Sequence, residues 1–212
     1  MKPWFRSLSL PLLAMVTMST SSYAAEAPAS MSITPTNLES IVLGGGCFWC
    51  LEAVYEEVRG VDSAVSGYAG GTIDFPTYKQ VTGGRSGHAE VVKIHFDPAV
   101  VPLATLLDVY FTIHDPTTLN RQGNDVGPQY RSVAFYGTAA EKQAIEAAIA
   151  RSAASGDWPG SIVTEVLPLP VFYPAEDYHQ EYFELNGEQP YCSLVIAPKV
   201  AKFKKRFAGL LK

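Results

Sequence analysis

Length, composition and charge are those of an ordinary globular protein. The 212 residues, 47% of them hydrophobic, are enough for one domain with a well-formed core. The formal net charge of -5 argues against a general affinity for nucleic acid.

The first residues have the order of a secretory signal peptide. Lys2 and Arg6 are the only charged residues before Ala24, and a short apolar run over residues 8–16 lies between them and the small residues that follow. This run is shorter than the roughly 20 residues that a membrane-spanning helix needs. We therefore predict export, to a bacterial periplasm, without stable membrane insertion. The predicted divisions are a signal peptide at 1–24, a flexible leader at 25–37 and a folded domain at 38–212.

A strand, a glycine turn and a helix are predicted around the first two cysteines. The apolar residues 41–43 lead into three glycines, and Cys47 and Cys50 then open a segment with helical spacing. We expect Cys47 in the first helical turn, where free backbone N–H groups and the helix dipole stabilise an anion. A cysteine in that position has a lowered pKa and reacts as a thiolate.

Two other interpretations of these cysteines stay open. Free cysteine is often a small buried hydrophobe. A structural zinc site needs about four ligands, whereas this chain has three cysteines and four scattered histidines. An odd cysteine count in an exported protein leaves one thiol unpaired or implies a pair that cycles. Two thiols on one helical turn therefore favour redox chemistry.

Strands and helices alternate along the rest of the chain. Strands are predicted at 63–68, 89–96, 132–136 and 162–166, and helices at 103–111, 138–155 and 178–185. Thr138 and Glu141 have the spacing of a capping box, and Gly156 ends that helix. Polar loops at 72–87 and 115–130 are long enough to be functional. This order favours an α+β two-layer sandwich over a doubly wound parallel sheet. A solvated helix face is expected for the basic C-terminal residues Lys199, Lys202, Lys204, Lys205 and Arg206.

Seven motifs occur in the order found in one enzyme family. They are Gly46–Cys50, Gly67–Gly71, Pro76–Tyr78, Gly87–Val92, His114–Thr117, Asn120–Ser132 and Tyr178–Gln180. On these residues the chain closely resembles the A-type peptide methionine sulfoxide reductases. The resemblance implies a ferredoxin-like α/β core and the reduction of the S epimer of methionine sulfoxide, free or in proteins, to methionine. It also implies that no organic cofactor or metal takes part and that thioredoxin or a relative is the reductant.

Sulfoxide chemistry defines which groups such a site needs. Thiolate attack on the partly positive sulfur must be accompanied by protonation of the oxygen, because otherwise an oxide would leave. The resemblance implies that Cys47 is the nucleophile, which becomes a sulfenic acid. It implies that Glu90 is the acid, protonated near neutral pH because burial raises its pKa. The other implied site residues hold the substrate: Tyr78 and Tyr130 toward its oxygen, Phe48 and Trp49 around its methyl group, and Asp125 in ordering the site. His179 either supports the site or is a structural histidine.

The third cysteine completes the implied cycle. The resemblance favours Cys192 as the first residue to resolve the sulfenic acid, in a turn-rich segment that we expect to be mobile. Many family members have glycine where this chain has Cys50, so Cys50 is expected to relay the disulfide to a Cys50–Cys192 bond. A direct Cys47–Cys50 bond, across one helical turn, is the alternative.

Two different functions compete with this interpretation. Cysteines with this spacing at a helix start are also typical of exported thiol–disulfide oxidoreductases of the thioredoxin type. That fold, however, needs neither Glu90 nor a pair of tyrosines. A non-catalytic binding module that carries thiols is the third candidate. Activity on a methyl sulfoxide rather than on a protein disulfide separates the first two, and trapping of Cys47 by a mild electrophile counts against the third.

Overall fold

The computed structural model describes Met1, Trp4 and residues 37–212. The predicted signal peptide and almost all of the predicted leader lie outside the described residues. Thr36–Lys212 form one compact unit. No helix among the described residues is long and apolar enough to cross a membrane.

A six-stranded sheet lies at the centre of the domain. The strands in chain order are β1 (Glu39–Gly45), β2 (Val61–Ala69), β3 (Ala89–Phe96), β4 (Arg121–Gln122), β5 (Asp125–Val126), β6 (Ser132–Tyr136), β7 (Glu165–Pro168) and β8 (Phe172–Pro174). The large sheet has the order β7-β6-β1-β3-β2-β8, and β4 pairs with β5 in a separate ribbon. Neighbours in the large sheet are antiparallel except for the parallel pair β6 and β7.

Six α-helices in the described part of the chain accompany the sheet. They are α1 (Phe48–Tyr55), α2 (Tyr78–Thr82), α3 (Leu103–Ile113), α4 (Ala139–Ser155), α5 (Tyr182–Leu185) and α6 (Ala197–Arg206). A π-helical turn, Cys192–Ile196, leads directly into α6, and short 3-10 turns cover Pro128–Tyr130, Asp177–His179 and Ala208–Leu210. The predicted mixture of sheet and helices is therefore present.

The main core lies on one face of the sheet. Ile41 and Leu43 of β1 join it with apolar residues of α1 and α3, whereas Val42 points to a smaller cluster on the other face. Because β1 is a central strand covered on both faces, its sequence is continuously apolar rather than alternating. Because β1 is buried on both faces, its C-terminal end is held in place, and Cys47 follows directly after that end.

Several predicted element ends are confirmed and others are corrected. The Thr138 hydroxyl accepts from the Glu141 N–H at 3.1 Å, and Gly156 ends α4 with φ of 73°. The Glu141 carboxylate accepts from Gly137 instead of Thr138, so only half of the capping box forms. The predicted helix at 178–185 is broken by Glu181, whose φ of 53° lies in the left-handed region.

The other differences concern short elements. The strand predicted at 162–166 begins only at Glu165, and the strand predicted at 63–68 extends at both ends into β2. The predicted polar loop at 72–87 contains α2, which a complete capping box between Thr77 and Gln80 begins. These elements are too short for periodicity to define them.

Candidate active site

Cys47 lies at the junction of β1 and α1. Gly46 has φ of 95°, and a Cβ there would come within 2.5 Å of the Gln122 side chain, so this turn needs glycine. The Tyr110 hydroxyl donates to the Gly44 carbonyl at 2.6 Å and holds the end of β1. The predicted strand, glycine turn and helix are confirmed. Cys47 is the N-cap residue of α1, one position before the predicted first turn.

Glu90 of β3 lies beside the start of α1 and is only 1% exposed. Its Oε2 accepts from the Phe48 N–H at 3.1 Å, and its Oε1 has no hydrogen-bond partner among residues 37–212. Burial raises the pKa of Glu90 to about 8, because loss of solvation outweighs the Phe48 hydrogen bond. The carboxyl group is therefore mostly protonated at pH 7, as the sequence predicted.

The thiols of Cys47 and Cys50 influence each other's ionisation. Burial, reinforced by Cys50 and Glu90, raises the pKa of Cys47 well above its usual range. The interaction with Cys47, helped by the charge of Lys199 on α6, lowers the pKa of Cys50 to about 7 even though Cys50 is buried. The prediction of a lowered pKa for Cys47 is wrong for the resting protein. Of the backbone N–H groups at the start of α1, that of Phe48 donates to Glu90, and burial outweighs any stabilisation of the Cys47 thiolate by the helix start.

The two predicted tyrosines come to the same place from different loops. Tyr78 begins α2, and Tyr130 ends the 3-10 turn before β6. Burial and then the charge of Glu90 raise the pKa of both phenols, and Cys47 adds a smaller effect on each. Both hydroxyls are thus protonated hydrogen-bond donors at neutral pH. The prediction that these long loops build the site agrees with this convergence.

An aromatic wall surrounds the cysteine pair. The Phe48 ring lies 6.4 Å from Tyr78 and 5.1 Å from His179 between ring centroids, and Trp49 stacks on Tyr182 at 3.6 Å. Neither ring nitrogen of the buried His179 has a hydrogen-bond partner within the described domain. Burial lowers the pKa of His179, so it is a neutral part of this wall rather than a hydrogen-bonded structural histidine.

Tyr191 is a site residue that the sequence analysis missed. Its hydroxyl donates to the Asp125 carboxylate at 2.7 Å and also lies against Cys47, whose pKa it lowers. The Tyr191 ring meets the Trp49 ring edge-on at 5.8 Å. Asp125 therefore acts on the site through Tyr191. The feature of the sequence that could have identified Tyr191 is its position directly before Cys192.

Cys192 lies in a different environment from the one predicted. It is fully buried and begins the π-helical turn, whereas the turn-rich part of the predicted segment is confined to residues 186–189. Burial, and then the Cys50 charge, raise the pKa of Cys192. Lys199 follows on α6 and faces Cys50, so it is not simply part of a solvated helix face. All three cysteines are free thiols.

These groups together can move an electron pair and a proton. A thiol, a protonated carboxyl with a free oxygen, and two phenol hydroxyls converge beside an apolar wall. Such a site can reduce a polar sulfur–oxygen bond. No group of three or more His, Cys, Asp or Glu in the described part of the chain is arranged to hold a metal ion.

Comparison with known proteins decides the family. Residues 39–210 match the family model described as peptide methionine sulfoxide reductase. The chain belongs to the peptide methionine sulfoxide reductase family. The family model spans every candidate site residue, and the two competing functions derived from the cysteine pair alone lose their support.

Individual relatives agree with this assignment. The peptide methionine sulfoxide reductase MsrA of Chromobacterium violaceum is 53% identical over 174 residues, which cover 82% of this chain and 99% of that protein. The MsrA of Ralstonia nicotianae is 53% identical over 178 residues, covering 82% and 93%. Reduced Mxr1 from Saccharomyces cerevisiae matches with a TM-score of 0.67 and 34% identity, over 74% of this chain and 91% of that one. Methionine sulfoxide reductase A of Corynebacterium diphtheriae matches with a TM-score of 0.65 and 37% identity, over 72% and 76%.

Proposed function

We propose that this chain reduces the S epimer of methionine sulfoxide, free or within proteins, to methionine, and so repairs oxidised proteins. The observation that carries the proposal is the buried carboxyl of Glu90, protonated at pH 7, with a free oxygen near Cys47. A sulfoxide needs an electron pair at sulfur and a proton at oxygen at the same time. Cys47 supplies the electron pair and Glu90 supplies the proton, because the two side chains lie near each other in the site.

The reductive step begins with attack of the Cys47 sulfur on the substrate. A sulfur–oxygen bond forms on Cys47 as the substrate's bond breaks, and Glu90 gives its proton to that oxygen. Cys50, present in part as the thiolate because its pKa is about 7, takes up the Cys47 thiol proton, and solvent later returns a proton to Glu90. The substrate sulfur gains the two electrons that Cys47 loses, which leaves methionine and a sulfenic acid. Tyr78 and Tyr130 donate to the oxygen while its negative charge develops.

Phe48 and Trp49 hold the substrate's methyl group against the aromatic wall. A methyl group gains from burial against such rings, whereas the sulfoxide oxygen does not. The donors on one side and the apolar wall on the other distinguish the three substituents on the sulfur. This asymmetry is the basis on which we assign preference for one epimer.

Cys50 resolves the sulfenic acid first in this proposal. It lies one helical turn from Cys47, and its pKa of about 7 makes it a good nucleophile at neutral pH. Attack on the Cys47 sulfur forms a Cys47–Cys50 disulfide and releases water. Cys192 then attacks Cys50, which forms a Cys50–Cys192 disulfide and frees Cys47. This order places Cys50 before Cys192, the reverse of the order favoured by the resemblance, because Cys50 is the immediate neighbour of Cys47.

The remaining parts of the proposal concern the fold, the reductant and the location. The order β6-β1-β3-β2, with α1 and α3 each joining two parallel strands across a third, supports a ferredoxin-like core. A thioredoxin-like dithiol protein is the proposed reductant, since the relay ends as an intramolecular disulfide. Export with cleavage after Ala24 is supported by the charge and apolar pattern of residues 1–24, and the domain at 38–212 is the exported catalyst.

Methionine formation from each purified epimer, with dithiothreitol as reductant, tests the function. We expect turnover of the S epimer alone, and none by Cys47→Ser. Leu119→Ser, which changes an exposed side chain, is a matched control that should retain full activity. Reduction of a protein disulfide without sulfoxide turnover would instead establish a thiol–disulfide oxidoreductase.

A further inference from the structure

An exposed apolar groove lies next to the candidate active site. Its volume is about 340 Å³, and it is lined by Phe75, Pro76, Val171, Phe172, Tyr173 and Pro174. The Phe75 side chain is 85% exposed and that of Val171 is 64% exposed. Exposed apolar side chains that cluster in this way are typical of interaction sites, whereas isolated ones need no explanation.

The loop that presents Phe75 is held firmly. The Ile73 carbonyl lies 2.8 Å from the His88 Nε2, and the Tyr173 hydroxyl donates to Asp74 at 2.8 Å. The Phe75 ring meets the Tyr173 ring edge-on at 5.4 Å. Phe75 has φ of 47°, a left-handed conformation that is unfavourable for a bulky residue. A left-handed backbone that displays an aromatic ring to solvent is a feature that a functional role would explain.

The groove is continuous with the place where we put the sulfoxide. Phe75 contacts Tyr173, and three residues further along each segment the Tyr78 N–H donates to the Glu176 carboxylate at 3.0 Å. Tyr78 packs on His179 of the aromatic wall, with 4.4 Å between ring centroids. Three extended residues span about 10 Å. The two segments that line the groove thus lead directly to Tyr78 and His179 at the candidate site.

We propose that this groove binds an apolar side chain that flanks methionine sulfoxide in an extended polypeptide substrate. Six residues line it, whereas a stable interface between folded proteins takes about 20–30 residues on each side. The groove therefore suits a short segment rather than a second copy of the chain or a folded reductant. Pro174 at the end of β8 removes a backbone donor, so side chains rather than strand pairing provide the recognition. The inference rests on the proposed function.

Steady-state kinetics with dithiothreitol test the groove. The substrates are free methionine sulfoxide and two short peptides in which leucines or serines flank the sulfoxide. We expect the wild type to prefer the leucine peptide, and Phe75→Ser to raise its KM for that peptide about tenfold. Activity on free methionine sulfoxide should not change, and Val171→Ser should act in the same direction. Val100→Ser, which removes an exposed valine elsewhere, is the matched control.

Each alternative explanation of the groove predicts a different experimental result. Loss of activity on free methionine sulfoxide in Phe75→Ser would mean that the loop supports the catalytic site, which overturns the inference. Equal KM values for both peptides in the wild type would overturn it as well. A change in oligomeric state, or in the KM for thioredoxin alone, would assign the groove to another partner. Absence of any sulfoxide turnover by the wild type would instead refute the proposed function.

Discussion

Replacing Glu90 with glutamine tests two consequences of burying this carboxyl. One is its role as an acid in the reductive step, and the other is its effect on the free energy of unfolding. Glutamine keeps the shape and can still accept from the Phe48 N–H, but its amide cannot give a proton to an oxide. Loss of a general acid typically slows a reaction about 10²–10⁴-fold. In the wild type, methionine formation should slow as the pH rises through about 8, where Glu90 ionises. The variant should lack this dependence on pH.

The same substitution should stabilise the protein. The pKa of Glu90 rises from 4.5 to about 8 on folding. Below 4.5 the carboxyl is protonated in both the folded and the unfolded state, and the folded state has no penalty. As the pH rises from 4.5 to about 8, the unfolded state releases the proton and the folded state does not, so stability is lost. The expected penalty is about 3 kcal/mol at pH 7 and about 5 kcal/mol above pH 8. Glutamine removes this penalty because it does not ionise.

Two measurements check this prediction. Rapid-quench methionine release gives the rate of the reductive step, and urea unfolding from pH 5 to 9 gives stability. The difference in unfolding free energy between Glu90→Gln and the wild type should grow with pH. Glu39→Gln, at the exposed start of β1, is the control that should change neither quantity. A reductive step as fast in Glu90→Gln as in the wild type would remove Glu90 from the chemistry, and a pH-independent stability difference would contradict its buried, protonated state.

Three further predictions address other parts of the structure. Tyr191→Phe removes the hydroxyl that joins Asp125 to Cys47, and should slow the reductive step about tenfold with little loss of stability. Gly67→Ala places a Cβ 2.5 Å from the Phe172 ring, and the resulting overpacking of β8 against β2 should lower the unfolding free energy by about 2 kcal/mol. Mass analysis of the native protein should find Ala25 as its first residue.

Specific results would contradict these three predictions. An unchanged reductive step in Tyr191→Phe would make the hydroxyl structural only, and Tyr136→Phe is a matched control outside the site. An unchanged urea midpoint in Gly67→Ala would show that β8 moves freely from β2. Retention of Met1 in the mature native protein would exclude cleavage after Ala24.

The parts of the site that the sequence predicted are those encoded locally. The glycines before Cys47 specify the strand-to-helix turn, because the positive φ of Gly46 leaves few alternatives. Thr138 and Gly156 specify the ends of α4 in the same way. The residues around Glu90 were sufficient for the motif match, which carried the expectation of a raised pKa.

The parts that were missed depend on contacts between distant segments. Tyr191 reaches Asp125 across 66 positions of the sequence, and no local pattern encodes that hydrogen bond. The pKa of Cys47 was predicted in the wrong direction because folding buries this thiol and brings Glu90, from another strand, close to it. Lys199 affects Cys50 only because α6 packs against α1.

The order in which the three cysteines form disulfides also depends on tertiary packing. Motif order alone favoured Cys192 as the first partner of Cys47, since it could not show how far apart the thiols lie. Helix α1 begins so that Cys50 lies one turn from Cys47, and folding buries Cys192. The proposed order of disulfides follows from these neighbours.

The most direct test of the account is the amount of methionine formed per enzyme from the S epimer without any reductant. The relay regenerates Cys47 once, so the wild type should form about two methionines and Cys192→Ser about one. Disulfide mapping of Cys192→Ser should find the Cys47–Cys50 bond. A Cys47–Cys192 bond as the first product in the wild type, with Cys50→Ser resolving at the wild-type rate, would contradict the proposed relay. No methionine from the wild type would contradict the whole mechanism.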